Sequence, residues 1–421
     1  MGLTTNRLTH LEHMLATMAP GDTITLHSGA ANPTQLAAQL AQAAPHLKGV
    51  RVYSLMPLGP VPYSDPPACD ALDIATALPG TLRKALGAGH VTALREPLSF
   101  MPTLFAPGAR PAGAVLLRVS PPDSQGRVNL GVSVDYMREA VRNARWVIAE
   151  IDPRVPRVHG NAWIDAARID AWIDAQDGPH EAVSGRFDAI DDAIAGHVAS
   201  LVDDGATVEL GAGSLPDRVL ARLAHLRHLG LHTGIIGDGA HALIEQGVID
   251  NSRKAFLPGV SVATMAVGSR VLYDFLDDNP AVELHPCALT HGRSTLMQLP
   301  NLHAINSALY VDLAGQTNAE WAGDKRISMP GGLPDFARAA AAQPKAKSII
   351  ALRACDKNGK SSIVPALAND KPATLLPNEV DYCVTEYGIA QINGASASAR
   401  REALIAIAHP EHRDALRQAN P

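Results

Sequence analysis

The sequence predicts two open α/β domains in tandem, each built on a mainly parallel sheet. Three observations carry that expectation. Short apolar runs alternate with longer Ala/Leu-rich helical patterns through most of the chain, the rhythm of βαβ units. One strand–loop–helix pattern occurs twice. A chain of 421 residues also exceeds what one ordinary core holds.

In the first half, Thr23–Leu26 reads as a strand, Thr34–Ala44 as a helix and Val50–Ser54 as a second strand. Gly113–Val119 is the next clear strand, followed by Ser120–Gly126 (SPPDSQG), whose Pro, Asp and Gly suit a turn. Asp135–Arg142 reads as a helix and Trp146–Ile151 as a strand. The repeat then appears. TITLHSGAANPTQLAAQLA, ending at Ala41, and ATVELGAGSLPDRVLARLA, ending at Ala224, share strand, small-residue loop, proline and helix. With Pro33 laid over Pro216, Ser28 faces Gly211 and Ala30 faces Gly213. Each helix is followed by another strand, around Val50–Leu55 and Leu231–Ile236. The junction is placed in the polar stretch Asp177–Asp192, giving expected domains at 1–185 and 186–421.

Bulk composition removes several classes of function. The net charge of −6 and pI near 6.3 offer no basic field for nucleic acid or an anionic membrane. The opening MGLTTNRLTHLEHM has no apolar run, and no later stretch suits a membrane span, so a cytoplasmic protein is expected. Cys69, Cys287, Cys355 and Cys383 are far apart and form no CxxC or Cys/His spacing. Neither a metal site nor a disulfide framework is expected.

Leu210-Gly-Ala-Gly-Ser-Leu-Pro216 is the first candidate site. Its glycines permit close backbone approach, and a helix starting near Pro216 aims free N–H groups at an anion. Such a loop binds a phosphate or a thioester oxyanion, or is simply a tight turn. It lacks the third glycine of a dinucleotide fingerprint and the Gly-Lys-Ser/Thr of a Walker loop. Gly331-Gly332 precedes another helix, and Cys355-Asp-Lys-Asn-Gly-Lys360 puts two lysines beside a turn glycine. Lys357 alone reads as a solvated turn lysine. Three such loops favour an extended anionic ligand.

The motifs Val119–Asp135, Leu210–Asp217, Leu231–Gly239, Ile305–Glu320, Pro330–Ala340 and Val380–Ala390 together resemble the acetyl-CoA hydrolase/transferase family. That family includes 4-hydroxybutyrate, butyrate and succinate:acetate CoA-transferases. The resemblance implies two CoA-transferase-type domains, the C-terminal one carrying the CoA-binding loops. It implies a coenzyme A thioester as substrate, no prosthetic group, a small acceptor such as a carboxylate or water, and a homodimer. It places Gly211, Ala212, Gly213, Ser214 and Leu215 against CoA, with the Ala212 N–H in an oxyanion hole. Gly331 then contacts CoA, Gly332 lies against the thioester, Ser328 lies near CoA, and Lys357 pairs with a CoA phosphate. Asn306 matches a site amide, Glu386 the glutamate of a TEYG motif, and Ser28 a first-domain loop that closes the site. Asn306 equally suits a turn cap, and Glu386 an ion-pair partner.

One departure alters the expected chemistry. The family's nucleophilic glutamate stands two residues after a histidine, in a segment like HTEMxSDG. Here the segment is Leu231-His-Thr-Gly-Ile-Ile-Gly-Asp-Gly239, and Gly234 occupies the glutamate's place. His232-Thr233 and Asp238-Gly239 keep the register. Leu333 also replaces the glutamine of a GGQ motif. Glycine cannot form the acyl-glutamyl and glutamyl-CoA intermediates of ping-pong transfer. Three side chains are candidate replacements: His232 as a base, Glu320 as base or nucleophile, and Glu386 as a base. The expected function is thioester hydrolysis, or acyl transfer to a second substrate bound beside Gly234. The alternatives are a non-catalytic CoA-thioester binder and a transferase using another carboxylate.

Overall fold

The computed structural model describes residues 14–15, 17–106, 113–182 and 185–419. Most of the opening segment read above, and residues 183–184 of the expected junction, lie outside the described residues. The chain divides into two compact units, Met1–Ala182 with Val262–Thr290, and Val183–Ser261 with His291–Pro421. No helix among the described residues is long and apolar enough to cross a membrane.

The first unit contains β1 (Thr23–Leu26), β2 (Arg51–Tyr53), β3 (Asp73–Thr76), β4 (Val91–Ala93), β5 (Ala114–Val119), β6 (Trp146–Ile151) and β7 (Ala171–Asp174). They form one sheet in the order β7-β6-β5-β1-β2-β3-β4, and every neighbouring pair is parallel. All six residues of β5 are buried, as a central parallel strand covered on both faces requires. Helix α1 (Thr34–Ala43) buries Leu36, Ala37 and Leu40, one face of a helical period, and helix α2 covers Met137–Asn143.

The second unit contains β8 (Thr207–Leu210), β9 (Gly230–Leu231), β10 (Leu302–Ser307), β11 (Lys347–Ala351), β12 (Tyr382–Thr385) and β13 (Gly388–Gln391). Their order is β9-β8-β10-β11-β12-β13, parallel except for the final hairpin. Helices α3 (Ala189–Ala199), α4 (Ser214–Arg222), α5 (Leu333–Ala341) and α6 (Ala397–Ile407) belong to this unit. Val311, Ile350, Cys383, Leu404 and Ile405 share one core cluster, and Leu302, Ala304 and Phe336 another. The α/β class with mainly parallel sheets is therefore observed in both halves.

One expected strand is corrected. Leu231–Ile236 is not a single strand: Gly230–Leu231 and Ile235–Ile236 are separate short strands. Between them the Thr233 hydroxyl donates to the Leu210 carbonyl at 2.5 Å, and also reaches the Ile235 carbonyl at 3.3 Å. Those bonds turn the chain where an uninterrupted strand would run on.

Candidate active site

Parallel strands end at a common edge, and ligands of open α/β sheets bind in the crevice beyond their carboxyl ends. Here Leu210 lies opposite Ile305, Ser307 opposite Ala351, and Ala351 opposite Val384, while Val208 pairs with Leu231. The segments leaving that edge are therefore, in order, His232–Gly234, Gly211–Gly213, the Asn306 end of β10, Leu352–Lys360, and Glu386. Strands lie ~4.8 Å apart, so Gly234 and Glu386 emerge four spacings, or roughly 19 Å, from each other along the edge. The family-implied residues of this unit thus string out along an edge long enough for an extended ligand.

The Gly211–Leu215 loop feeds directly into α4. Gly213 is its N-cap with φ 137° and ψ 174°, a conformation open essentially to glycine alone, and no side chain caps the helix. A Cβ at Gly211 would meet nothing within 4 Å. Residues 211–218 are all only half-buried. An uncapped helix start, with its N–H groups turned toward a half-open loop, suits an anion.

Gly234 sits beside this loop through the Thr233–Leu210 bond. Its backbone is not left-handed, so the fold does not demand glycine there. A Cβ at Gly234 would lie 3.0 Å from Nε2 and 3.4 Å from Cε1 of His291. His291 is buried, its ring edge-on to Phe336 at 4.9 Å, and burial lowers its pKa to about 3. It is a neutral wall near pH 7, and so weak a base is ill matched to proton abstraction there. His291 is a site residue that the sequence reading missed, since nothing local to Thr290-His291-Gly292 connects it to position 234.

Glu209 is the second missed residue. It is the penultimate residue of β8, is buried, and accepts a bond from Asn306 Nδ2 at 2.7 Å. Burial raises its pKa to about 8, opposed by the bonds from Asn306 and the Ile305 backbone. The carboxyl is therefore mainly protonated at neutral pH, a donor beside the loop rather than a base. A glutamate at an inward strand position was the available signal.

The other candidates have clear surroundings. His232 is fully buried, its ring 6.2 Å from those of Phe256 and Phe336. The Glu320 carboxylate is inaccessible, receives the Thr374 hydroxyl at 3.1 Å and faces Arg326 at 3.7 Å. Its carbonyl accepts from the Ile327 and Ser328 amides. Ser328 is half-buried, its hydroxyl 3.4 Å from the Met329 carbonyl. Gly331 has φ 58°, and Gly332 caps α5. In the first unit, Ser28 is buried in the loop after β1, beside the buried Asp135 carboxyl.

At the far end of the edge, Glu386 accepts from the Ala354 amide at 2.9 Å. It lines a cleft of about 980 Å³ with Ala308, Arg353, Cys355, Lys357 and His409. The Asp356 carboxylate accepts from the Asn358 and Lys360 amides at 2.8 and 3.0 Å, which folds the turn and leaves Lys357 exposed. Cys355, isolated in sequence, is not isolated in space: its sulfur and a ring nitrogen from each of His409 and His412 all lie within 4.8 Å of one another.

Parallel α/β units with a glycine-rich loop at the strand ends define a class of proteins that bind anionic cofactors or thioesters at that edge. The chain belongs to the acetyl-CoA hydrolase/transferase family, matching its N-terminal domain over residues 5–179 and its C-terminal domain over 268–420. It is 39% identical to the 4-hydroxybutyrate coenzyme A transferase of Clostridium kluyveri over 317 residues, 75% of this chain and 74% of that one. It is 34% identical to the succinyl-CoA:acetate/propanoyl-CoA:succinate CoA transferase of Fasciola hepatica, covering 95% of this chain and 84% of that one. Among solved structures, RipA from Yersinia pestis aligns at 30% identity with TM-score 0.88, covering 97% of this chain and 95% of that one. The 4-hydroxybutyrate CoA-transferase of Porphyromonas gingivalis aligns at 30% with TM-score 0.81 over the same shares.

Proposed function

We propose that this protein processes acyl-CoA thioesters without a glutamyl-CoA intermediate, by hydrolysis or by transfer to an acceptor bound beside Gly234. The observation that carries the proposal is the half-exposed Gly234 next to an uncapped, glycine-built helix start. The thioester carbonyl lies over Gly211–Gly213, with the Ala212 N–H stabilising its oxyanion. CoA runs along the sheet edge toward Lys357, which meets a phosphate. Water or the acceptor attacks the carbonyl carbon, the C–S bond breaks, and CoA leaves as the thiolate and takes up a proton. In hydrolysis the products are a carboxylic acid and free CoA.

Glu386 acts in this scheme by holding the Ala354 amide, and through it the turn bearing Lys357. Its place at the far end of the edge favours positioning over general-base duty. Glu320, enclosed with Thr374 and Arg326, is a structural carboxylate here, and His232 a packed ring. The non-catalytic reading is favoured by one observation, the crowding of position 234 by His291.

The test incubates purified protein with a panel of acyl-CoAs in ¹⁸O-water, with and without carboxylate acceptors. Release of CoA with ¹⁸O in the acid supports hydrolysis, and a new acyl product lacking ¹⁸O supports transfer. Saturable CoA binding with no thioester loss across the panel would overturn the enzymatic reading.

A further inference from the structure

We propose that Cys355, His409 and His412 form a binding site for a borderline divalent cation of the zinc type. The three side chains come from two separate parts of the second unit. Cys355 opens the turn after β11, which an antiparallel bridge to Ser361 closes. His409 caps the short helical turn Pro410–His412 and His412 ends it, shortly after α6. One thiol and two imidazoles are a common zinc donor set, and tetrahedral coordination needs donors about 2.0–2.3 Å from the ion. Three donor atoms already within 4.8 Å of one another approach that arrangement before any side chain rotates. All three residues are half-buried, so the ion can enter and a fourth position stays open.

Neighbouring backbone groups orient both imidazoles. Nε2 of His412 lies 2.9 Å from the Gly359 carbonyl, which only accepts. That contact keeps the proton on Nε2 and leaves Nδ1 with the lone pair. Nδ1 of His409 accepts from the Glu411 amide at 3.4 Å, which orients that ring. A bound cation would deprotonate the sulfur. The ion would tie the Lys357-bearing turn to the C-terminal segment.

The experiment strips the full-length protein with chelator, then titrates it with Co²⁺ and follows thiolate-to-cobalt charge-transfer absorption, with Zn²⁺ as competitor. We expect one equivalent with a thiolate band that zinc displaces. Cys355→Ser should abolish the band, and His412→Gln should weaken cobalt affinity at least about tenfold. Circular dichroism confirms that each variant folds, and His409→Gln serves as the second probe should His412→Gln not. Absence of a stoichiometric thiolate–cobalt complex overturns the proposal. So does a complex that survives Cys355→Ser but disappears in Cys69→Ser, since Cys69, Asp70 and His90 form a separate cluster.

Discussion

The two strand–loop–helix units compare a filled loop with an open one. After β1, residues 27–32 are all buried, and several of their polar groups are engaged within the first unit. His27 meets the Arg118 and Ser133 carbonyls, Asn32 donates to the Leu58 and Pro60 carbonyls, and the Gly29 amide donates to the Leu55 carbonyl. The first turn of α1 already has its anion, because the Leu36 amide donates to Glu150 at 2.9 Å. Glu150 is in turn held by the buried Arg118. After β8, the matching loop is half-exposed, and no side chain caps α4. One sequence pattern thus yields a structural helix start that supplies its own carboxylate, and another free to meet a ligand's.

The largest effect is expected where the filled loop is emptied. Glu150→Ala removes the partner of a fully buried guanidinium. It should cost about 3 kcal/mol in denaturant unfolding, the low end of the usual range because Asp177 also pairs with Arg118. A loss below about 1 kcal/mol would mean that α1 does not depend on its internal anion. In the open loop, Gly213→Ala imposes a side chain at φ 137° and should cost about 1–3 kcal/mol. Thioester turnover should fall further than stability alone explains. Equal losses in both would reduce the loop to a structural turn.

Position 234 sharpens the contrast. Gly234→Glu alone should not produce a covalent CoA adduct, because its Cβ meets the His291 ring at 3.0 Å. Gly234→Glu with His291→Ala should produce one, visible as a mass increase on intact protein. An adduct in the single variant would show that His291 yields. At the far end, Lys357 is exposed, so Lys357→Ala should weaken CoA binding by about 0.2–1 kcal/mol, no more than about fivefold.

Glu209 adds a pH signature. Its folded pKa of about 8 exceeds the ordinary 4.5, so the native state holds the extra proton between those values. Stability should therefore fall as pH rises from about 4.5 to 8, and Glu209→Gln should flatten that slope in thermal melts. An unchanged slope in the variant would assign the proton elsewhere.

Much of this was legible in the chain. Thr23–Leu26, Trp146–Ile151 and Thr207–Leu210 are strands with the bounds their apolar runs suggest, and the glycine loop lies where strand gives way to helix. Helix α4 begins at Ser214, two residues before the expected Pro216. The break within Leu231–Ile236 was hidden because it depends on a hydroxyl bonding across to β8. His291 was hidden because its contact with Gly234 spans 57 positions (291 − 234). Likewise, nothing local brings Cys355 to His409 and His412. Periodicity reports which face of an element is buried, not which distant side chains converge at its end.

The most direct test of the central claim is intact-protein mass spectrometry during reaction with an acyl-CoA that releases CoA. The account predicts that CoA accumulates while the wild-type protein keeps its unmodified mass at every time point. A kinetically competent acyl or CoA adduct on a carboxylate would contradict it, and the modified residue would be the nucleophile that replaces the missing glutamate.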